Sequence, residues 1–222
     1  MSKIFKISLI IMVLMSFLSG TILLAGCSKK DTKPATEELP KEITESLADL
    51  ISKSKEITSI KYDLIMSVPN QPTITQKVWV KGMKQRIEFE AEGEIIVYLI
   101  DYDKKISYNY MPQTNTALKV EMGDISKAVE ESLLDMTESI DINSKIIGSE
   151  VIGGKECTVI EHGAVGMGSV KMWVWKARGL PVKMETRSPD GVLIIIEYKN
   201  IDFSPIPDDV FELPENVHIY EY

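Results

Sequence analysis

The sequence predicts an α+β fold dominated by one large, curling antiparallel sheet, and three observations lead there. From Thr58 onward apolar residues recur with period two in run after run. Turn residues punctuate those runs at short intervals, as antiparallel hairpins require. Only two stretches carry the three- and four-residue spacing of an amphipathic helix. A sheet of about ten or eleven strands cannot stay flat. Its one apolar face exceeds what two helices can cover, so the sheet either folds into a sandwich or wraps a hollow whose mouth the helices close.

The chain opens differently. Lys3 and Lys6 precede an uncharged apolar run from Ile7 to Leu24, which ends in Leu24-Ala25-Gly26-Cys27. A basic start, an apolar middle and small residues before a cut are the layout of a secretory signal, so residues 1–26 are expected to be removed. A cysteine directly after Ala-Gly resembles the lipobox of bacterial lipoproteins. That resemblance implies a diacylglyceryl group on the Cys27 sulfur, further acylation of palmitate type, and Cys27 as the first mature residue. An uncleaved membrane helix is the other reading. Both place the rest of the chain outside the cytoplasm and hold it to a membrane. Residues 27–36 are polar, basic and without apolar periodicity, a composition that cannot order itself. They are expected to form a flexible tether before a folded domain over 37–222.

Glu37 to Glu56 reads as the first helix, with Leu39, Ile43, Leu47, Leu50 and Ile51 on one face. The strands follow. Ile60, Tyr62, Leu64, Met66 and Val68 alternate with polar residues, and Pro69-Asn70-Gln71-Pro72 turns the chain. Ile74, Gln76, Val78 and Val80 share a face opposite Trp79; beyond Gly82, Met83, Gln85, Ile87 and Phe89 alternate with Lys84, Arg86, Glu88 and Glu90. Glu94 to Asp101 is a more continuous apolar strand, and Ile106, Tyr108, Tyr110 and then Leu118, Val120, Met122 make the next hairpin.

A second helix is expected from Asp124, where Ile125, Ala128, Val129, Ser132, Leu133 and Met136 describe an apolar stripe. Strands then resume: Lys145 to Ile152 pairs through Gly153-Gly154 with Lys155 to Glu161. Val170, Met172 and Val174 face away from Trp173 and Trp175; Pro181 to Thr186, the turn at Ser188-Pro189-Asp190-Gly191 and Val192 to Phe203 complete the array. The inward candidates are Tyr62, Leu64, Met66, Val78, Met83, Ile87, Phe89, Tyr108, Met122, Met172, Val174 and Met184. Methionines and aromatics adapt to irregular ligands, and ordinary core packing explains the same residues.

Several functions are excluded by composition or spacing. A net charge of −8 lacks the clustered cations that phosphate contacts need, so no nucleic acid partner is expected. His162 and His218 stand apart with no metal-ligand spacing around them. Ser52-Lys53-Ser54-Lys55 contains Ser-x-x-Lys without the companion motifs of penicillin-binding enzymes. Gly163-Ala164-Val165-Gly166-Met167-Gly168 has the wrong order for a dinucleotide fingerprint and leads into a strand. With Cys27 lipidated, Cys157 has no disulfide partner and reads as a small buried hydrophobe. No enzyme, metal or cofactor is expected.

Three stretches in order resemble one family. They are Val78-Trp79-Val80-Lys81-Gly82-Met83-Lys84-Gln85-Arg86-Ile87-Glu88 leading to Ser107-Tyr108-Asn109-Tyr110-Met111-Pro112; Lys171-Met172-Trp173-Val174-Trp175 with Gly179-Leu180-Pro181-Val182-Lys183; and Asp190-Gly191 followed by Tyr198-Lys199-Asn200-Ile201-Asp202-Phe203 and Ile206-Pro207-Asp208-Asp209-Val210-Phe211-Glu212-Leu213-Pro214. Together they resemble the superfamily of outer-membrane lipoprotein-sorting proteins. The resemblance implies a strongly curved antiparallel half-barrel, lidded by helices, enclosing an apolar cavity for acyl chains. It implies a lipid or an acylated protein as ligand. It also implies, through the Gly-x-x-x-Arg context, that Arg86 latches the lid; by its alternation alone Arg86 reads equally well as an exposed cation on the wet face. Acylation of this chain places it nearer the membrane-bound receptor, or the lipid-carrying lipoproteins of mycobacteria, than the soluble carrier. Other members of the superfamily sense envelope stress or support spore germination, so a regulatory or structural module with an envelope protein partner is the alternative. The expected location is extracytoplasmic, on the cell membrane or, in a host that has one, the outer membrane.

Overall fold

The computed structural model describes residues 46–122, 144–164 and 168–221. The signal segment, Cys27, the tether and the second expected helix lie outside the described residues. What is described is a single open sheet of twelve strands that curls, with one α-helix and one 3-10 turn.

Helix α1 spans Leu47–Lys55. Ser46 is its N-cap, in extended backbone, and the cap is reciprocal: the Asp49 amide donates to Ser46 Oγ at 3.2 Å while the Ser46 amide donates to Asp49 Oδ2 at 3.1 Å. Of the expected helix from Glu37 to Glu56, the described part begins at Ser46, and residues 37–45 lie outside the described residues. At Ser46 a side chain that accepts from a backbone amide caps the described helix.

The strands are β1 (Ser59–Ser67), β2 (Ile74–Lys81), β3 (Lys84–Ala91), β4 (Glu94–Asp101), β5 (Ile106–Met111), β6 (Thr116–Glu121), β7 (Lys145–Ile152), β8 (Lys155–Ala164), β9 (Gly168–Trp175), β10 (Leu180–Arg187), β11 (Leu193–Asp202) and β12 (His218–Glu221). Their order across the sheet is β12-β6-β5-β4-β3-β2-β1-β11-β10-β9-β8-β7. Hairpins explain most neighbours, and β11 returns to lie against β1, which joins the two meanders. Gly153 and Gly154 hold φ of 54° and 76°, the doubly positive backbone of a tight hairpin turn between β7 and β8.

Twelve strands among the described residues are one more than the alternation suggests. β12 is four exposed residues and pairs parallel to β6, so the sheet is not wholly antiparallel. Four exposed residues carry no apolar period to find.

The two faces of the sheet differ. On the inner face one cluster runs without a break from Ile100 on β4 through Val78 and Tyr62 to Met172 and Ile160 on β9 and β8, and includes Leu50 of α1. The outer face has two separate clusters. Val97, Leu99, Tyr110 and Ala117 pack under Leu213 and Val217; Cys157, Val159, Trp173 and Val182 form the other. The C-terminal segment is strapped to this outer face. Lys81 Nζ donates to the Ile206 carbonyl at 2.8 Å and pairs with Asp208 at 2.9 Å, and Arg86 donates to the Val210 carbonyl at 2.9 Å. The chain thus covers much of its own outer face, leaving the inner one as the surface on which a ligand site has to be sought.

Candidate functional site

Strand register lays the inner face out in rows. Ile74 on β2 pairs with Met66 on β1, Met66 with Ile196 on β11, and Ile196 with Met184 on β10. Met184 then pairs with Met172 on β9, Met172 with Ile160 on β8, and Ile160 with Ile146 on β7. Three of the methionines singled out in the sequence therefore fall in one row across the sheet. A row so rich in unbranched thioethers repacks at low energetic cost around flexible chains.

Burial along that row is uneven. Met184, Met172 and Ile160 are buried, Met66 and Ile196 only partly so, and Ile74 is 39 % exposed. Nearer α1 the inner face is closed. Leu50 and Ile51 pack onto the cluster that holds Ile60, Val174 and Leu180, and Lys53 Nζ fixes the helix to the Lys176 carbonyl at 2.7 Å. The apolar floor is therefore sealed at one end of the strands and partly open toward β1, β2 and β11.

Polar groups gather at the far end of the inner face. Ser144 Oγ and His162 Nδ1 lie 3.1 Å apart, and His162 pairs with Val170 on β9. Thr186 follows Met184 in the same phase of β10, opposite Ile194. Its hydroxyl is buried and has no hydrogen-bond partner among the described residues. Tyr198 is buried deeper on the same face, with its hydroxyl 3.7 Å from Met184 Sδ.

Most of the residues expected inside are there. Tyr62, Val78, Ile87, Phe89, Met172, Val174 and Met184 are buried in the inner cluster, with Leu64 and Met122 packed against it. Phe89 stacks on Tyr98 at 5.6 Å, and Tyr62 meets Tyr198 edge-on at 5.7 Å.

Three placements are corrected. Met83 is 48 % exposed, because it occupies the turn between β2 and β3 and not the strand. Tyr108 belongs to the outer face, where it packs against the cluster under Leu213; on β5 it pairs with Leu99, which faces outward. Arg86 also points outward, one residue out of phase with Ile87. It bonds Glu88 Oε1 at 2.8 Å, lies over Trp79 and holds the Val210 carbonyl, so among the described residues it secures the C-terminal segment.

Thr186 escaped the sequence reading. The signal was present, since Thr186 shares the phase of Met184, but a threonine in a strand ordinarily reads as a surface residue. Among the described residues no group of three or more His, Cys, Asp and Glu is placed to hold a metal ion. Cys157 is buried on the outer face, and burial pushes its thiol above the ordinary range, which makes it a poor nucleophile. Among those residues no helix is long and apolar enough to cross a membrane.

Comparison with known proteins gives no family model and no curated protein that matches the chain. Solved structures do match. An uncharacterized conserved protein from Thermus thermophilus superposes with a TM-score of 0.56 at 12 % identity, over 80 % of this chain and 100 % of its own. MucB, in the Pseudomonas aeruginosa MucA/MucB complex, gives 0.48 at 11 % identity, over 76 % of this chain and 61 % of that one. A LolA superfamily protein from Nitrosomonas europaea gives 0.31 at 15 % identity, over 76 % and 98 %. At such identities the likeness is of fold alone, and of these three the Thermus protein carries it.

Proposed function

We propose that this chain is a lipid-binding protein of the cell envelope, held to its membrane by acylated Cys27 and binding acyl chains against the inner face of its sheet. The observation that supports this most is the row from Ile74 to Ile146, an apolar floor sealed under α1 yet only partly buried at Met66, Ile196 and Ile74. Each methylene withdrawn from water contributes about 0.8 kcal/mol, so a long chain laid along the floor gains on the order of 10 kcal/mol before ordering is subtracted. Binding of this kind needs no catalytic group, only apolar surface and a way in. The folded domain over 37–222 would stand off the bilayer on the tether of residues 27–36, with its cargo a lipid or the acyl part of another lipoprotein.

Native mass spectrometry of the full chain released from mild detergent tests this reading. A co-purifying lipid, or uptake of added hexadecanoic acid at one-to-one stoichiometry, is the expected result. A chain that neither carries nor accepts any acyl compound overturns it.

A second reading has one observation in its favour. β7 is an edge strand of the sheet among the described residues, and Ile147 and Val151 on it are 46 % and 63 % exposed. An apolar edge strand is a template for an added strand from a protein partner. A regulatory module of the envelope would use that edge, and charged substitutions at Ile147 and Val151 would then abolish its cellular effect while lipid uptake persisted.

A further inference from the structure

Thr186 is an anomaly of the inner face. It is 7 % exposed, and its Oγ1 has no hydrogen-bond partner among the described residues. Buried hydroxyls are almost always paired, and one that is not calls for a reason. A strand residue cannot satisfy its hydroxyl on the preceding turn as a helical threonine does. The neighbours that register brings beside Thr186 are apolar: Ile194 is its partner on β11, and Met184 precedes it on the same face.

Position gives the anomaly a direction. Along β10 the inner face runs from Leu180, fully buried in the cluster with Leu50, through Met184 to Thr186. The same end of the sheet carries the hydrogen bond between His162 on β8 and Ser144, which directly precedes β7. The face is thus apolar and sealed at one end and polar at the other, with one hydroxyl left over where the apolar floor stops. A molecule that fits this sequence of surfaces has a hydrocarbon tail and an oxygen at its head.

We propose that Thr186 Oγ1 is the hydrogen-bond donor for the acyl carbonyl of a bound lipid, whose tail runs from there past Met184 over the partly open Ile196 and Met66. The inference rests on the lipid-binding reading above and adds an orientation and a chemical class to it: the head carries a carboxyl or ester carbonyl, and the tail enters first. Thr186 is a specificity-determining residue in this view. It supplies one hydrogen bond that a pure hydrocarbon cannot return.

Equilibrium partition of radiolabelled hexadecanoic acid, methyl hexadecanoate and hexadecane into the full chain tests it, with T186V as the isosteric variant and T186S as the rescue. Loss of one hydrogen bond predicts about a tenfold weaker affinity of T186V for the acyl probes. Hexadecane is expected to bind T186V as well as the original chain, and T186S to recover the acyl probes. A loss confined to the acid assigns a free fatty acid, and a loss confined to the ester assigns a glyceride-type lipid. If T186V holds both acyl probes as tightly as the original chain does, the assignment of Thr186 is wrong while lipid binding stands. If the original chain takes up none of the three, lipid binding itself fails and this inference falls with it.

Discussion

The carbonyl oxygen of Leu50 occupies the space in which a side chain on Gly179 would have to begin. A methyl group built on Gly179 overlaps that oxygen and comes within 3.1 Å of the Ser54 amide nitrogen. Gly179 sits at φ of 66° in the turn between β9 and β10, and its amide donates to the Trp175 carbonyl at 2.8 Å. Backbone meets backbone here, which is how α1 approaches the sheet closely enough to bury Leu50 completely. Gly179→Ala combines a left-handed backbone with an overlap that no rotamer relieves. Its expected effect is a loss of about 3 kcal/mol or more, read as a lower denaturant midpoint with early loss of amide protection in Leu47–Lys55.

Leu50→Ala probes the same junction from the other side. Leu50 is fully buried in the inner cluster, so truncation leaves a cavity and removes transfer energy, about 3–4 kcal/mol together. Thermal unfolding measures it, and a loss under about 1 kcal/mol, far below the usual cost of such a truncation, would mean that α1 is not the seal of the apolar floor.

Arg86 ties the C-terminal segment to the outer face through the Val210 carbonyl, and its guanidinium also lies 5.8 Å from the centre of the Trp79 ring. Arg86→Ala removes a charge-assisted bond to a segment that Lys81 and the packing of Leu213 also hold. About 1–2 kcal/mol should go, and hydrogen exchange should accelerate at 206–213 while β2 and β3 keep their protection. Lipid uptake should not change, because the residue stands on the opposite face from Met66. A selective loss of lipid binding would instead support the latch role that the family resemblance implied.

Why the sheet was legible while parts of the site were not follows from what each depends on. Period-two burial is local, so Glu94–Asp101 and Lys145–Ile152 emerge with the boundaries they have in the structure. Facing follows from phase, and one wrong phase is enough to misplace a residue. Met83 looks like the first inward residue of β3, yet it belongs to the turn. Tyr108 shows the other limit: the segment around Leu213 that covers it comes from far along the chain, and nothing near Tyr108 announces which face that segment will take. The parallel pairing of β12 with β6 is invisible for the same reason. Thr186 was hidden because its character is a missing partner, and an absence has no residue type.

Acid should weaken one particular junction. The Asp202 carboxyl is held down at about 2, from an ordinary 3.8, by hydrogen bonds from the Ser204 hydroxyl and amide and then by Lys61. A depressed folded-state value means that the stabilisation is complete above the ordinary value and is lost as pH falls through about 2. Asp202→Asn should therefore unfold at lower denaturant than the original chain at pH 5 and above. The two midpoints should converge between pH 4 and pH 2. Midpoints that stay equally far apart at pH 2 would show that the carboxylate is not the source of the difference.

Met66 and Met172 share one row of the inner face but differ in what a charge would do there. Met172 is buried between Met184 and Ile160, so a glutamate at that place is an unpaired charge in an apolar interior. Several kcal/mol are at stake, and Met172→Glu is expected to fold poorly or with its carboxyl neutralised. Met66 is only partly buried, beside the half-open Ile196 and Ile74. Water already reaches it, so Met66→Glu should lose no more than about 1–2 kcal/mol. Its carboxylate would nevertheless lie on the floor that an acyl chain has to cover, and a chain laid over it would strip its water. Lipid uptake should then fall by at least about a hundredfold in a protein that still unfolds cooperatively. Circular dichroism melts and fatty-acid partition on the same preparation decide the matter. A stable Met66→Glu variant that takes up hexadecanoic acid as well as the original chain would remove the inner face from consideration as the lipid site.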